Sequence, residues 1–144
     1  KLEPRPTHVV FNAGVNPIEW DAGGSKILDA LDRLEMKGIW RTTTYQKNHR
    51  RKLLVLQVDN VMAGLFRSRG HWVLNTSWTQ ELDPMHFWTM NHFYEPVYRV
   101  MNEELLDMLG YKFPVGEPLH YQTIKRTNLT PLSQVNEDLL KQLM

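Results

Sequence analysis

The sequence predicts an α/β fold, a parallel sheet with covering helices, and three observations carry that expectation. Short β-branched or apolar runs alternate with longer stretches of helical period, in the order strand, helix, strand, helix, strand, loop, helix. The first run is continuously apolar, as a strand buried on both faces is, and it stops at a glycine. Glycines also stand where stretches of helical period end. At 144 residues the chain is long enough for one domain with a real core.

Residues 1–7 carry two prolines and read as an entering linker. His8-Val9-Val10-Phe11-Asn12 is the first strand, stopped by Ala13-Gly14, and residues 20–24 read as loop. Ser25 is the N-cap expected for a helix in which Ile27, Leu28, Leu31 and Leu34 recur at helical spacing as far as Lys37, with Gly38 as its C-cap glycine. The β-branched residues 39–44, with Trp40, form the second strand. After a polar stretch, Leu54, Val58, Val61, Met62 and Leu65 define one face of a helix that Gly70 closes, and Trp72-Val73-Leu74 is the third strand. Beyond Asp83-Pro84-Met85-His86, Pro96 suits a first helical turn, and Val97, Val100, Met101, Leu105 and Met108 form a stripe ended by Gly110. Residues 111–131 hold three prolines and no period, so they read as an arm. Val135, Leu139, Leu140 and Leu143 make a last short amphipathic helix. The division is therefore an α/β portion over 1–110 and an arm with its helix over 111–144.

Composition excludes several classes. A net charge of +1 gives no general pull toward nucleic acid or anionic membrane, and no apolar run approaches the ~20 residues of a membrane span. Without cysteine there is neither a disulfide framework nor a thiolate zinc site. The six histidines show no His-x-x-x-His or His-Glu-x-x-His spacing, so no metal and no cofactor are expected. A nucleotide-binding module is the weakest of the readings, since neither a Gly-x-Gly-x-x-Gly run nor a phosphate loop is present. The sequons at Asn75 and Asn128 favour a secretory location slightly.

Right-handed crossovers place the strand ends that precede each helix along one edge, where ligands bind in open sheets. Gly14 and the Asp83–His86 loop are expected there. In Asp83-Pro84-Met85-His86 a carboxylate precedes an imidazole by three residues across a proline bend, so both side chains can be aimed at one point. A hydrolytic or acyl-transfer site needs that from its base and the group that orients it; a plain turn is the competing reading.

These residues resemble the C-terminal part of an SGNH (GDSL-type) hydrolase domain. Gly14-Val15-Asn16 is similar to the glycine-x-asparagine segment that ends the family's third strand, and Asp83-Pro84-Met85-His86 to its closing Asp-x-x-His. Trp40-Arg41-Thr42-Thr43-Thr44 and Phe11-Asn12-Ala13-Gly14 are similar to the branch acting on glycan O-acyl groups, including the PC-esterase and trichome-birefringence-like proteins. The resemblance covers roughly residues 8–110. It implies a three-layer α/β/α, flavodoxin-like sheet that is incomplete in this chain. It implies His86 as general base, Asp83 as the group holding it, and Asn16 as oxyanion donor, with Gly14 and Asn12 as further oxyanion candidates. The family's nucleophile lies in a Gly-Asp-Ser block, which this chain lacks; Ser25, Ser68, Ser77 and Ser133 all stand elsewhere. Two readings stand. Either the serine comes from the N-terminal half of the same domain or a partner polypeptide, with a carbohydrate ester as substrate and this chain inert alone, or the chain is a non-catalytic scaffold in a larger complex.

Overall fold

The structure, a computed structural model, describes residues 6–12, 14, 20–45, 50–89 and 92–111. Among them the strands β1 (His8–Phe11), β2 (Lys37–Arg41) and β3 (Trp72–Leu74) alternate with the helices α1 (Trp20–Arg33) and α2 (Lys52–Ser68). Two 3-10 turns, Ser77–Glu81 and Pro84–His86, then lead to α3 (Glu95–Met108). The strands form one parallel sheet in the order β1-β2-β3, so the α/β class holds. The chain divides into two compact units between Glu81 and Leu82. The sheet, α1 and α2 belong to the first; the Pro84–His86 turn and α3 belong to the second. The arm beyond Tyr111 and the helix expected around Leu139 lie outside the described residues. Among the described residues no helix is long and apolar enough to cross a membrane.

In the first unit the parallel register sets Val9 beside Gly38, Phe11 beside Trp40, and Trp40 beside Val73, so these residues share one face. Two successive crossovers of the same hand put α1 and α2 on that face. There Leu28 and Leu31 of α1 meet Met62, Ala63 and Phe66 of α2 around the fully buried Trp40, with Val9, Phe11 and Val73 packed against them.

Both ends of α1 and both ends of β2 differ from the sequence expectation, β2 ending at Arg41 where the sequence predicts a run to residue 44. Helix α1 begins at Trp20, upstream of Ser25, and runs through Gly23-Gly24. Gly24 is tolerated inside it because α2 lies so close: an added Cβ would stand 2.9 Å from Met62 Sδ. The helix ends at Arg33, well before Gly38, and is closed by Glu35, which adopts the left-handed conformation (φ 52) while Met36 N–H returns to Leu31 O at 2.9 Å. Gly38 is instead inside β2, where a Cβ would come within 2.7 Å of Leu31 Cδ1 and 2.9 Å of Phe66 Cε1.

The apolar face of α2 is rotated from the expected one. Val55, Asp59, Met62, Ala63 and Phe66 are buried, whereas Leu54 and Val61 are about half exposed. The C-caps of α2 and α3 match expectation: Gly70 and Gly110 take positive φ, and the next residues, His71 and Tyr111, donate back to Phe66 O and Leu106 O. In α3, Val97, Val100 and Met101 are buried, and Glu103 is buried with an Arg99 ion pair at 3.1 Å.

Candidate functional site

At the C-terminal edge of the first unit's sheet, all three strands end in short polar residues: Asn12 after β1, Thr42 and Thr43 after β2, Asn75 and Thr76 after β3. Their backbone has left the ladder and needs other partners. Asn12 Nδ2 donates to Arg41 O at 2.8 Å and lies 3.4 Å from Thr43 Oγ1, while Asn12 Oδ1 accepts the Gly14 N–H at 2.9 Å. This pins Gly14 in its left-handed turn at φ 65. Between the other two strands, Thr76 N–H donates to Thr42 Oγ1 at 2.8 Å and Thr76 Oγ1 donates to Thr42 O at 2.6 Å, both hydroxyls being buried.

Beneath Thr43 sits Asp59 of α2, only 5% exposed. Its Oδ2 accepts the Thr43 N–H at 2.8 Å, and its Oδ1 lies 3.2 Å from Trp40 Nε1 and 3.3 Å from Thr43 Oγ1. Burial pushes the carboxyl above its ordinary range, opposed by the hydrogen bonds from Thr43 and Trp40 and by the Arg41 charge. The neighbouring Tyr45 phenol, fully buried, is pushed up to about 12 by burial and then by the Asp59 charge. Asp59 therefore ties the segment leaving β2 to α2, and through Thr43 the tie reaches the Asn12–Gly14 turn.

The second unit carries Asp83 and His86. Asp83 is extended (φ −65, ψ 152) and exposed, and Pro84 opens the 3-10 turn. The His86 N–H donates to Asp83 O at 3.0 Å, and the His86 ring Nδ1 lies 3.2 Å from the same carbonyl oxygen. A carbonyl only accepts, so this bond requires the proton on Nδ1 and makes Nε2 the ring's basic nitrogen. The orienting group in reach of Nδ1 is thus the main chain of Asp83, where the sequence pointed to its carboxylate. The His86 ring is 1% exposed. Tyr94 N–H donates to His86 O at 3.0 Å, and Phe87 bridges Phe93 with ring centroids 4.5 Å apart, closing the loop behind it. Trp88, two residues on, is 71% exposed.

Asn12 and Gly14 stand together in the first unit, and Asp83 and His86 in the second; Asn16 lies outside the described residues. The Asn12 amide donates across to Arg41 O at the end of β2, and the Gly14 N–H donates within the turn to Asn12 Oδ1. Ser25 is an exposed residue within α1, Ser68 Oγ donates to Leu65 O at 2.9 Å, and Ser77 opens a 3-10 turn; Ser133 lies outside the described residues. Among the described residues no cluster of three or more metal-ligating side chains occurs. Sequence reasoning missed Asp59. Its signal was present: it stands four residues after Val55 and three before Met62, on the line of buried positions. No family model matches the chain, and neither a curated protein nor a solved structure matches it.

Proposed function

We propose that this chain supplies the histidine-bearing part of an SGNH-type serine esterase or O-acyltransferase, with the nucleophilic serine on another polypeptide segment. The single observation that carries the reading is the His86 ring, whose Nδ1 is held 3.2 Å from the Asp83 carbonyl oxygen. Further support comes from the parallel sheet and from the glycine turn at the end of β1. The finer architecture, a three-layer flavodoxin-like sheet extended by strands from that other segment, belongs to the same proposal.

In the reaction, the serine Oγ attacks the ester carbonyl carbon and its proton passes to His86 Nε2. The C–O bond to the alcohol then breaks, and His86 returns the proton to the departing oxygen. Water or an acceptor hydroxyl, deprotonated by the same nitrogen, attacks the acyl carbon; the acyl–Oγ bond breaks and His86 gives that proton to the serine Oγ. His86 is buried within this chain itself, so a hydroxyl reaches Nε2 only on a segment that displaces part of what covers the ring. The acyl ester, of a glycan in the branch the motifs resemble, sits on the far side of that hydroxyl. Oxyanion donation falls to Asn16.

The test is a serine-directed fluorophosphonate probe on natively purified protein with its bound polypeptides retained. Labelling of a serine in the assembly, abolished in His86→Ala, is the expected result. No labelling with His86 intact overturns it.

A second reading is favoured by one specific observation: the Asn12 amide is committed to Arg41 O and the Gly14 N–H to Asn12 Oδ1. On that reading the same fold serves as a non-catalytic scaffold, and the assembly remains unlabelled while the chain still copurifies with its partners.

A further inference from the structure

At the opposite edge of the first unit's sheet, where the strands begin, a buried histidine joins four elements. His71, the residue before β3, is 6% exposed. Its Nδ1 accepts the Gly38 N–H of β2 at 3.1 Å. A nitrogen that accepts from a backbone N–H carries no proton, so the proton of the neutral ring is on Nε2. That Nε2 lies 3.3 Å from Asp32 Oδ1, within ion-pair range but off hydrogen-bond geometry, and it has no hydrogen-bond partner among the described residues.

The charges around the ring come from every element packed against it. Helix α1 contributes Asp29 and Asp32, and the residue after α2, Arg69, pairs with both carboxylates. Strand β2 contributes Lys37, whose Nζ donates to Gly70 O at 2.7 Å and stands 5.8 Å from the Trp72 ring centroid. From β1, His8 packs on Trp72 with ring centroids 5.2 Å apart. Phe66 of α2 closes the site, its ring centroid 5.8 Å from that of His71.

We propose that His71 is an acid-sensitive latch, whose protonation expels the Gly38 N–H and loosens the clasp joining the start of β2 to the ends of α1 and α2. The geometry leaves the imidazolium no good position. A second ring proton has to sit on Nδ1, and there it faces the Gly38 N–H at a separation made for a donor and an acceptor. The cation's gain from Asp32 is limited, because that carboxylate already binds the Arg69 guanidinium. Rotating the ring toward Asp32 leaves the Gly38 N–H buried without an acceptor.

The direction of titration agrees. Burial holds the imidazole below the ordinary histidine range, opposed by Asp32 and helped by Lys37 and Arg69. The unfolded chain therefore takes up the proton first as pH falls through about 6.5, so the latch stabilises the fold above that value and is lost below it. This inference stands independently of the esterase reading.

The test is thermal unfolding of wild type and His71→Asn between about pH 7.5 and 5.0, across the histidine range. The asparagine Oδ1 sits near the place of Nδ1 and accepts from Gly38 at every pH, while the lost ring volume lowers the melting temperature by a constant amount. The gap between wild type and H71N is expected to narrow as pH falls; a gap that stays constant or widens overturns the latch. Should H71N not fold, NMR titration of the His71 ring in wild type decides alone. A midpoint below about 6.5 supports the latch, and one at or above it overturns it.

Discussion

The two ends of β2 are each held by a buried ionisable side chain that accepts a backbone N–H, yet they hold it in opposite ways. At the C-terminal end Asp59 accepts from Thr43 N–H and has two further donors, the Trp40 indole and the Thr43 hydroxyl, within reach. At the N-terminal end His71 accepts from Gly38 with one ring nitrogen, and its other is without a hydrogen bond among the described residues. The difference teaches what a buried titratable group requires. A carboxylate has several lone-pair sites and satisfies several donors at once; a neutral imidazole has one, and loses it on protonation. The pH dependence then runs in opposite senses. Asp59, raised in the fold, favours the native state most below about 3.8 and less as pH rises through its folded value. His71, lowered in the fold, favours the native state above about 6.5.

The comparison breaks most directly at Asp59. Asp59→Ala strands up to three donors inside the protein and should cost about 3 kcal/mol or more in urea unfolding. A loss under about 1 kcal/mol would mean that water or a rearranged Thr43 replaces the carboxylate. At the other end, Gly38→Ala drives a methyl against Leu31 and Phe66, with an expected cost of about 2 kcal/mol by the same measurement. Trp40→Phe keeps most of the ring and removes one donor to Asp59, so about 1.5 kcal/mol should be lost. The hydrogen-bond part of that loss should vanish when Trp40→Phe is made in the Asp59→Ala background, leaving only the packing cost of the smaller ring, a double-mutant cycle that isolates the bond. The smallest change has the opposite sign: Glu35→Gly relieves the left-handed residue after α1 and should stabilise by roughly 0.5 kcal/mol, read as a small rise in melting temperature.

Much of the fold was legible because its signals are local. The β-branched runs at Val9-Val10 and Trp72-Val73-Leu74 are strands wherever they are placed in a parallel sheet, and Gly70 and Gly110 end helices because the left-handed cap needs no neighbour. The errors arose where a neighbour decided. Gly38 looked like a helix cap and is a strand residue under Leu31 and Phe66. Of the stripe Leu54, Val58, Val61, Met62 and Leu65, Met62 is buried and Val58 and Leu65 pack against the core, but Leu54 and Val61 are half exposed and the true face turns to include Asp59, since the donors of Trp40 and Thr43 make a carboxylate welcome there. For the candidate site, the Asp83–His86 spacing was readable, but the atom that meets the ring was not: a 3-10 turn brings the Asp83 carbonyl to Nδ1 and leaves the carboxylate on an exposed residue.

The amino-acid order by itself determined the alternation of strand and helix, the glycine stops at Gly14, Gly70 and Gly110 and the turn at Pro84, because these follow from backbone preferences over a few residues. Only tertiary structure decided which polar groups go inside and what they touch there. Burial of Asp59 and His71 is tolerable only when donors and acceptors from distant segments arrive at the right distance, and no local pattern encodes that arrival.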